Sequence, residues 1–154
     1  MAISMGICLL DQISKFYIVQ QIAMDESVTV IPHFFSLVHV RNPGVAFGWF
    51  ADQSTPFRQV FFVGLSIGAL LFLITLVRKI PPADMLGHIA IALLFGGACG
   101  NLLDRVRLGE VVDFLDFYIG RYHWYAFNVA DSAITTGLTL FAFYTLFSRK
   151  TALS

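Results

Sequence analysis

Two aspartates beside apolar segments are the residues of this chain best suited to carry out chemistry. Asp113 lies in the sequence VVDF, and Asp131 lies in the sequence FNVADS. A carboxylate in contact with hydrocarbon loses its water and finds no partner there, so such a residue in a membrane protein suggests a functional site. Two carboxylates brought to one place can share a proton, which is the basis of acid/base catalysis by aspartate pairs.

The composition places these aspartates in a membrane protein. Of the 154 residues, 57% are hydrophobic and 13% are charged, whereas soluble domains are about 45–50% apolar. The net charge is zero and the basic residues are scattered, so the composition gives no indication of a nucleic-acid partner. We therefore expect one integral membrane domain that covers residues 1–154.

Four apolar segments are long enough to cross a bilayer, which takes about 20 helical residues. They cover approximately residues 1–22, 56–77, 85–103 and 127–147. Residues 28–50 contain aromatic and β-branched residues separated by Pro, Asn and Gly, a composition typical of short strands and turns. The expected fold class is an all-α membrane protein of four transmembrane helices, with a small β-rich platform outside the membrane between the first two spans. Residues 45–50 are expected to form an aromatic belt at the membrane interface.

Polar side chains gather where the third span ends and the fourth begins. Asn101, Asp104 and Arg105 are spaced i, i+3, i+4, so they share one helical face, and Asn128 and Asp131 repeat the i, i+3 spacing. Both groups lie on the same side of the membrane, and the VVDF segment connects them. A polar network that only holds helices together is the simpler explanation, but helix association does not require so many acids and amides at one level.

The first span contains two charged residues, Asp11 and Lys15. Their combined cost at mid-depth in a bilayer is roughly 5–7 kcal/mol. At i,i+4 with the acid first, the two side chains have the favoured order for an ion pair on one helical face. We expect such a pair.

Other residues that attract attention have simpler explanations. Gly96 and Gly100, like Gly64 and Gly68, are four residues apart, a spacing that allows helices to approach closely. Asp116 is expected to be a solvated loop carboxylate, as are Glu110, Asp52 and Asp25. The four histidines lack the spacing of metal ligands, and no metal or other cofactor is expected. Cys8 and Cys99 are expected to be small buried hydrophobic residues without a disulfide.

Five segments in this order resemble the lipoprotein signal peptidases, the type II signal peptidases of bacteria. They are DQISK from Asp11, NPGVAF from Asn42, GGACGNLLDR from Gly96, VVDF from Val111 and FNVADS from Phe127. The resemblance covers nearly the whole chain. It implies a membrane-embedded aspartyl endopeptidase that removes the signal peptide from prolipoproteins, cutting immediately before the cysteine that carries a diacylglyceryl group.

The resemblance also implies roles for individual residues. Asp113 and Asp131 would be the catalytic pair, using acid/base activation of water. The residues that would bind substrate or support the site are Asn42, Gly44, Asn101, Asp104, Arg105, Asn128, Ala130, Asp11 and Lys15. Arg105 is expected to act mainly on neighbouring groups such as Asp104, because an arginine too close to the catalytic pair would keep both acids ionised.

The basic residues that flank the spans are divided four to four, so charge alone does not orient the chain. The resemblance implies the bacterial inner membrane, with both termini in the cytoplasm and the site near the outer face. Lipid-modified prolipoproteins and membrane lipids are the expected partners, and a monomer is the expected functional unit.

Two other functions remain open from the residues alone. One is a small proton-coupled transporter of four helices, whose acids would bind and release protons. The other is a non-catalytic assembly protein in which the polar cluster only joins helices. The β-like segment argues against the transporter, as does the position of the acids at one end of the spans, because transporter sites usually lie near the bilayer midplane.

Overall fold

The computed structural model describes residues 1–44 and 55–147. Within them the helices are α1 (Ala2–Gln21), α2 (Thr55–Val77), α3 (Met85–Leu108) and α4 (Val129–Phe147). The strands are β1 (Ser27–Ile31), β2 (Phe35–Asn42), β3 (Val111–Ile119) and β4 (Tyr122–His123). The aromatic belt predicted at residues 45–50, and Asp52, lie outside the described residues.

All four helices are long and apolar enough to cross a membrane, which confirms the fold class and the multi-pass arrangement. The largest difference from the predicted spans is at the end of α3, which continues to Leu108 instead of stopping near residue 103. Arg105 and Arg107 lie in its last turn, where cations interact favourably with the helix dipole. Gly109, with φ 78°, ends the helix in the left-handed region. Hydropathy therefore located the apolar part of α3 and missed its polar last turn.

The platform is a four-stranded antiparallel sheet in the order β1-β2-β3-β4. Strands β1 and β2 lie between α1 and α2, as predicted, but β3 and β4 lie between α3 and α4, where no strand was predicted. Most of β3 is buried, so its sequence lacks the alternation of apolar and polar residues that marks a half-exposed strand. Because β3 is an inner strand that also packs against α1 and α3, Asp113 is held between the sheet and the helices.

One predicted loop carboxylate belongs to this sheet. Asp116, expected to be solvated, is a buried residue of β3, and His123 Nδ1 donates to its two carboxylate oxygens at 3.1 and 3.0 Å. The prediction for Asp116 is therefore wrong. Asp25 is exposed, as predicted, and Glu110 is half-buried in the bend that precedes β3.

Helix α3 packs against each of the other three helices, and its glycines allow the close approach. A Cβ atom on Gly96 would lie 2.7 Å from Ser4 O of α1, and one on Gly97 would collide with Ala130 O of α4. At Gly64 and Gly68, in contrast, an added Cβ atom would have no described atom within 4 Å. The predicted packing role is thus supported for the α3 glycines, and the described part of the chain gives none to the α2 pair.

This difference predicts the effect of adding a methyl group. Gly97→Ala should lower the stability by about 1–3 kcal/mol, because the backbone of α4 must move away. Gly64→Ala is the matched control in a membrane-spanning helix and should cause no loss of stability. Thermal unfolding of both variants in detergent measures the difference. Equal unfolding temperatures for Gly97→Ala and the unsubstituted protein would contradict the packing described here.

Candidate active site

Asp113 is a buried acid whose two carboxylate oxygens both accept hydrogen bonds. Asn42 Nδ2 donates to Oδ2 at 2.9 Å, and Asn128 Nδ2 donates to Oδ1 at 2.7 Å. The side chain is only 3% exposed. Burial raises the pKa of Asp113 to about 6, and the negative charge of Asp131 also raises it, while the two amide donors oppose the shift. Asp113 therefore keeps its proton at a pH where most carboxylic acids have lost theirs.

Asp131 is held in the first turn of α4 by a reciprocal hydrogen-bonded cap with Asn128. The Asn128 Oδ1 atom accepts from the Asp131 backbone N–H at 2.9 Å, and Asp131 Oδ2 accepts from the Asn128 backbone N–H at 3.3 Å. This is the geometry of a capping box. Asn101 Nδ2 of α3 donates to the other oxygen, Asp131 Oδ1, at 2.8 Å.

Asn128 connects the two aspartates. Its side chain donates to Asp113, and its backbone N–H donates to Asp131. Asn128 is fully buried, so this arrangement is held within the protein and not by solvent. Spacing alone predicted that Asn128 and Asp131 share a helical face, but the hydrogen bond to Asp113 depends on how β3 packs against the start of α4.

A buried ion cluster adjoins the aspartate pair. Lys15 Nζ lies 2.8 Å from Asp11 Oδ2, 2.8 Å from Asp104 Oδ2 and 2.9 Å from Asn101 Oδ1. The ammonium group has three N–H donors, and these contacts use all of them. The predicted i,i+4 ion pair between Asp11 and Lys15 is confirmed. Asp11 Oδ1 also accepts the backbone N–H of Ala130 at 2.9 Å, which ties α1 to the first turn of α4.

Gln12 also belongs to this cluster, although it was not among the predicted site residues. Its Nε2 atom donates to Asp104 Oδ1 at 2.9 Å and to Gly100 O at 3.1 Å, and it lies 3.2 Å from Asp11 Oδ2. These contacts join α1 to α3. A polar amide inside an apolar span is the signal that would have identified Gln12, because it needs partners within the protein.

Arg105 does not pair with Asp104 as predicted. Adjacent residues on a helix do not face each other, and Asp104 is already bound by Lys15. The Arg105 Nη1 atom lies instead 3.4 Å from Ser66 Oγ of α2, and the guanidinium carbon lies 5.8 Å from the centre of the Phe62 ring. Arg105 therefore faces α2.

A cavity of about 270 Å³ lies between α2, α3 and α4 and reaches Asp131. Polar groups at this cavity come from Asp131, Asn101, Arg105 and Ser66, and the rest of the wall is apolar. The apolar lining residues are Phe62, Leu65, Ala69, Ala98 and Ile134. The cavity thus offers an acid, an amide and a guanidinium to a molecule whose remaining surface is apolar.

A larger apolar cavity of about 510 Å³ lies between α1, α2 and α3, and none of the predicted site residues lines it. Cys8 and Cys99 do line it, and both are free and half-buried instead of fully buried. Among the residues that the structure describes, no group of three His, Cys, Asp or Glu side chains could hold a metal ion.

Asn42 and Gly44 bring the platform to the aspartate pair. The Gly44 N–H donates to Asn42 Oδ1 at 2.9 Å, which leaves the Asn42 amide nitrogen to donate to Asp113. Gly44 has φ 82°, and an added Cβ atom would lie 2.9 Å from the Phe62 ring. Both its conformation and its proximity to α2 therefore favour glycine at this position.

Comparison with known proteins shows a family match over most of the chain. Residues 3–147 match the family described as Signal peptidase (SPase) II. A Lipoprotein signal peptidase of Desulforapulum autotrophicum is 44% identical over 147 residues, which are 96% of this chain and 91% of that protein. One from Geobacter sulfurreducens is 47% identical over 141 residues, covering 92% and 87% of the two chains.

Solved structures of membrane enzymes share the fold of this chain. One described as "Bacterial membrane enzyme structure by the in meso method at 1.9 A resolution" is 35% identical to this chain, with a TM-score of 0.83. The match covers 95% of this chain and 91% of that one. The fold of nearly the whole chain is therefore shared with a membrane enzyme.

Proposed function

The chain belongs to the signal peptidase II family, an aspartic peptidase family, and we propose that it removes the signal peptide from lipid-modified prolipoproteins by acid/base catalysis between Asp113 and Asp131. The observation that carries this proposal is the position of Asn128, which donates from its side chain to one carboxylate and from its backbone to the other. Two acids bound to one buried residue are well placed to share a proton.

In the proposed mechanism Asp131 begins as the base and Asp113 as the acid. Asp131 lines the 270 Å³ cavity, where a water molecule and the scissile peptide bond have room. Asp113 is almost fully buried, and burial favours the protonated acid. Asp131 would accept a proton from water as the oxygen attacks the carbonyl carbon, while Asp113 donates its proton to the carbonyl oxygen.

The second step would reverse these roles. As the tetrahedral intermediate collapses, Asp113 takes back the proton of the hydroxyl group, and Asp131 gives its proton to the leaving nitrogen. The C–N bond breaks, and the pair returns to its starting state with one proton. Asn101 and Asn42 each donate to one member of the pair, so they would keep both carboxyl groups oriented through this exchange.

We propose that the substrate is cut immediately before its diacylglyceryl-modified cysteine. This is tested by incubating the purified protein in detergent with a diacylglyceryl-modified precursor and with the unmodified precursor, and by identifying the products by mass spectrometry. We expect a single cut before the cysteine in the modified precursor alone. Equal cleavage of the two precursors would contradict lipid recognition.

We propose the bacterial inner membrane as the location, with both termini in the cytoplasm and the site near the outer face. The described residues contain four helices long and apolar enough to span the membrane, which supports this in part because an even number of spans places both termini on one side. A monomer is the proposed functional unit, since one chain supplies Asp113, Asp131 and the contacts that support them. Membrane lipids are proposed to surround this unit.

The raised pKa of Asp113 predicts how the activity depends on pH. If Asp113 must begin protonated, kcat/KM should fall as pH rises through about 6, where the free protein loses this proton. The Asn42 amide donates to the ionised carboxylate and so lowers the pKa of Asp113. Asn42→Ala should therefore move the falling limb of the profile to higher pH.

The pH profile of kcat/KM for Asn42→Ala, measured beside the exposed control Gln20→Ala, tests this sign. The control should leave the falling limb where it is in the unsubstituted protein. A limb that moves to lower pH in Asn42→Ala would mean that Asn42 interacts with the protonated acid instead.

A further inference from the structure

The β3–β4 hairpin and the segment after it expose an unusual number of apolar and aromatic side chains. We call residues 117–127 the aromatic hairpin. Ile119 is 74% exposed, Tyr122 86%, Trp124 72% and Tyr125 85%. The proposed peptidase mechanism uses none of these residues, so their exposure needs another explanation.

A cavity of about 470 Å³ opens on this hairpin. Its aromatic lining residues are Phe34, Phe117, Tyr118, Tyr122, Trp124 and Phe127. It shares no lining residue with the 270 Å³ cavity at Asp131. It is therefore a separate recess with walls suited to a flat or apolar group.

A histidine in a fixed orientation also lines this cavity. His123 Nδ1 is bound to the carboxylate of Asp116, and the ring stacks on Tyr118 with the ring centres 4.7 Å apart. These contacts hold the imidazole in place and leave Nε2 as the remaining ring nitrogen, which donates to a ligand only when the imidazole carries both protons. Asp116 is buried and engaged by His123, so its charge is not presented to a ligand.

Arg121 is the one Lys, Arg, Asp or Glu residue of the aromatic hairpin, so its fixed charge is positive. Residues 117–127 include Arg121 and His123 and no acidic residue. Arg121 is exposed at the turn between β3 and β4. A ligand with a negative group beside an apolar body would match this combination of charge and aromatic surface.

The position of the hairpin in the chain indicates where such a ligand is found. Helix α4, which is long and apolar enough to span the membrane, begins at Val129, four residues after Tyr125. Trp and Tyr are the residues enriched where a protein crosses from hydrocarbon to water, because their rings are apolar and carry one polar atom. We infer from this position that the hairpin lies at the level of the lipid headgroups.

We propose that the aromatic hairpin is a binding site for a bilayer phospholipid, with the glycerol and ester region in the 470 Å³ cavity and the phosphate at His123 and Arg121. The site would fasten the β3 end of the platform to the membrane surface, on the same strand that carries Asp113. The proposal does not depend on the peptidase reaction.

The experiment uses Trp124 as its own reporter. The chain has two tryptophans, Trp49 and Trp124, so Trp49→Phe leaves only the one in the hairpin. The delipidated protein in detergent is titrated with dioctanoyl phosphatidylglycerol, dioctanoyl phosphatidylcholine or dioctanoylglycerol while the emission of Trp124 is followed. We expect saturable changes in emission with both phospholipids. The affinity for dioctanoylglycerol should be at least about tenfold lower than for the phospholipids, because dioctanoylglycerol lacks the phosphate.

A pair of variants tests the contact with phosphate. His123→Gln should weaken binding of phosphatidylglycerol about tenfold, which corresponds to one charge-assisted hydrogen bond. Lys79→Gln removes a positive charge from the exposed turn after α2 and should leave the affinity unchanged. The His123 side chain is 54% exposed, so its replacement removes little packing. Equal unfolding temperatures of His123→Gln and Lys79→Gln would show that a loss of affinity does not come from a loss of structure.

Three results would overturn the proposal. If dioctanoylglycerol bound as tightly as the phospholipids, the cavity would be a site for a diacylglyceryl group and not for a phospholipid. If no lipid changed the emission of Trp124, the cavity would have no lipid ligand. A response that follows protein concentration instead of lipid concentration would identify the surface as a contact with a second copy of this chain.

Discussion

Asp113→Asn and Asp131→Asn are each expected to lower kcat for cleavage of the lipid-modified precursor by about a thousandfold or more, while the protein stays folded. General acid/base catalysis by one positioned group contributes about 10²–10⁴-fold, and an amide can replace neither the acid nor the base. Asn also has the size and shape of Asp, so the helices and the sheet should keep their packing. The measurement is the single-turnover rate of cleavage in detergent.

The matched control is Asp116→Asn, because Asp116 lies on the same strand as Asp113 but binds His123. Its cleavage rate should stay within a few-fold of that of the unsubstituted protein. Substantial activity in either catalytic variant, or an equal loss in the control, would remove the support for the pair. The outcome also separates a peptidase from an assembly protein, in which these substitutions would disturb folding and no cleavage would be seen at all.

A stability measurement provides a second, independent test of Asp113. Its pKa is raised from the ordinary 3.8 to about 6, so the folded state binds its proton more tightly than the unfolded state does. Its contribution to stability is fully present below about pH 3.8 and is lost as pH rises through about 6. Asp113→Asn cannot ionise, so this part of the pH dependence should disappear from its thermal unfolding.

Lys15→Met is expected to lower the free energy of unfolding by about 3–5 kcal/mol, because it leaves buried carboxylates without their counter-charge. Lys15 is 3% exposed, and its ammonium is within 2.8 Å of both Asp11 and Asp104. Asn101 would also lose one of the two donors to its Oδ1 atom, since Lys15 and Asn128 both donate to it. Since the same Asn101 amide donates to Asp131, activity should fall together with stability.

Thermal unfolding and the yield of folded protein in detergent measure this effect, with Lys79→Met as the control. Lys79 is exposed, and its loss should change the stability by no more than about 0.5 kcal/mol. Combining Lys15→Met with Asp11→Asn should restore part of the loss, because one of the two uncompensated carboxylates is then neutral. If the single variant unfolded at the same temperature as the unsubstituted protein, the cluster would not contribute to stability.

Much of the fold could be predicted because hydrocarbon imposes a simple rule on sequence. A helix that crosses a membrane must be long and apolar, so the four spans can be located without reference to each other. The strands β1 and β2 also follow from local composition. Strand β3 could not be predicted in this way, since it is covered on both faces and its residues do not alternate. Without that alternation, local composition predicts a loop around Asp116, which is where the prediction for this residue fails.

By itself the sequence determined the membrane class, the candidate acids and every contact that depends on spacing within one helix. The ion pair of Asp11 with Lys15 belongs to this group, because i,i+4 neighbours on a helix meet wherever the helix lies. The ordered motifs also identified the family, and the family match confirms it. These features need no information about how distant segments pack.

Only the tertiary structure decided which groups meet across elements. Asn128 lies between Asp113 and Asp131 because β3, an inner strand of the platform, meets the start of α4. Lys15 reaches Asn101 because the glycines of α3 let α1 approach. Arg105 faces α2 while its neighbour Asp104 faces α1, because adjacent residues on α3 point in different directions and α1 and α2 pack on different sides of this helix. Except for the local cap between Asn128 and Asp131, these contacts join residues 15 or more positions apart, and their geometry depends on backbone approach and side-chain volume that local spacing does not encode.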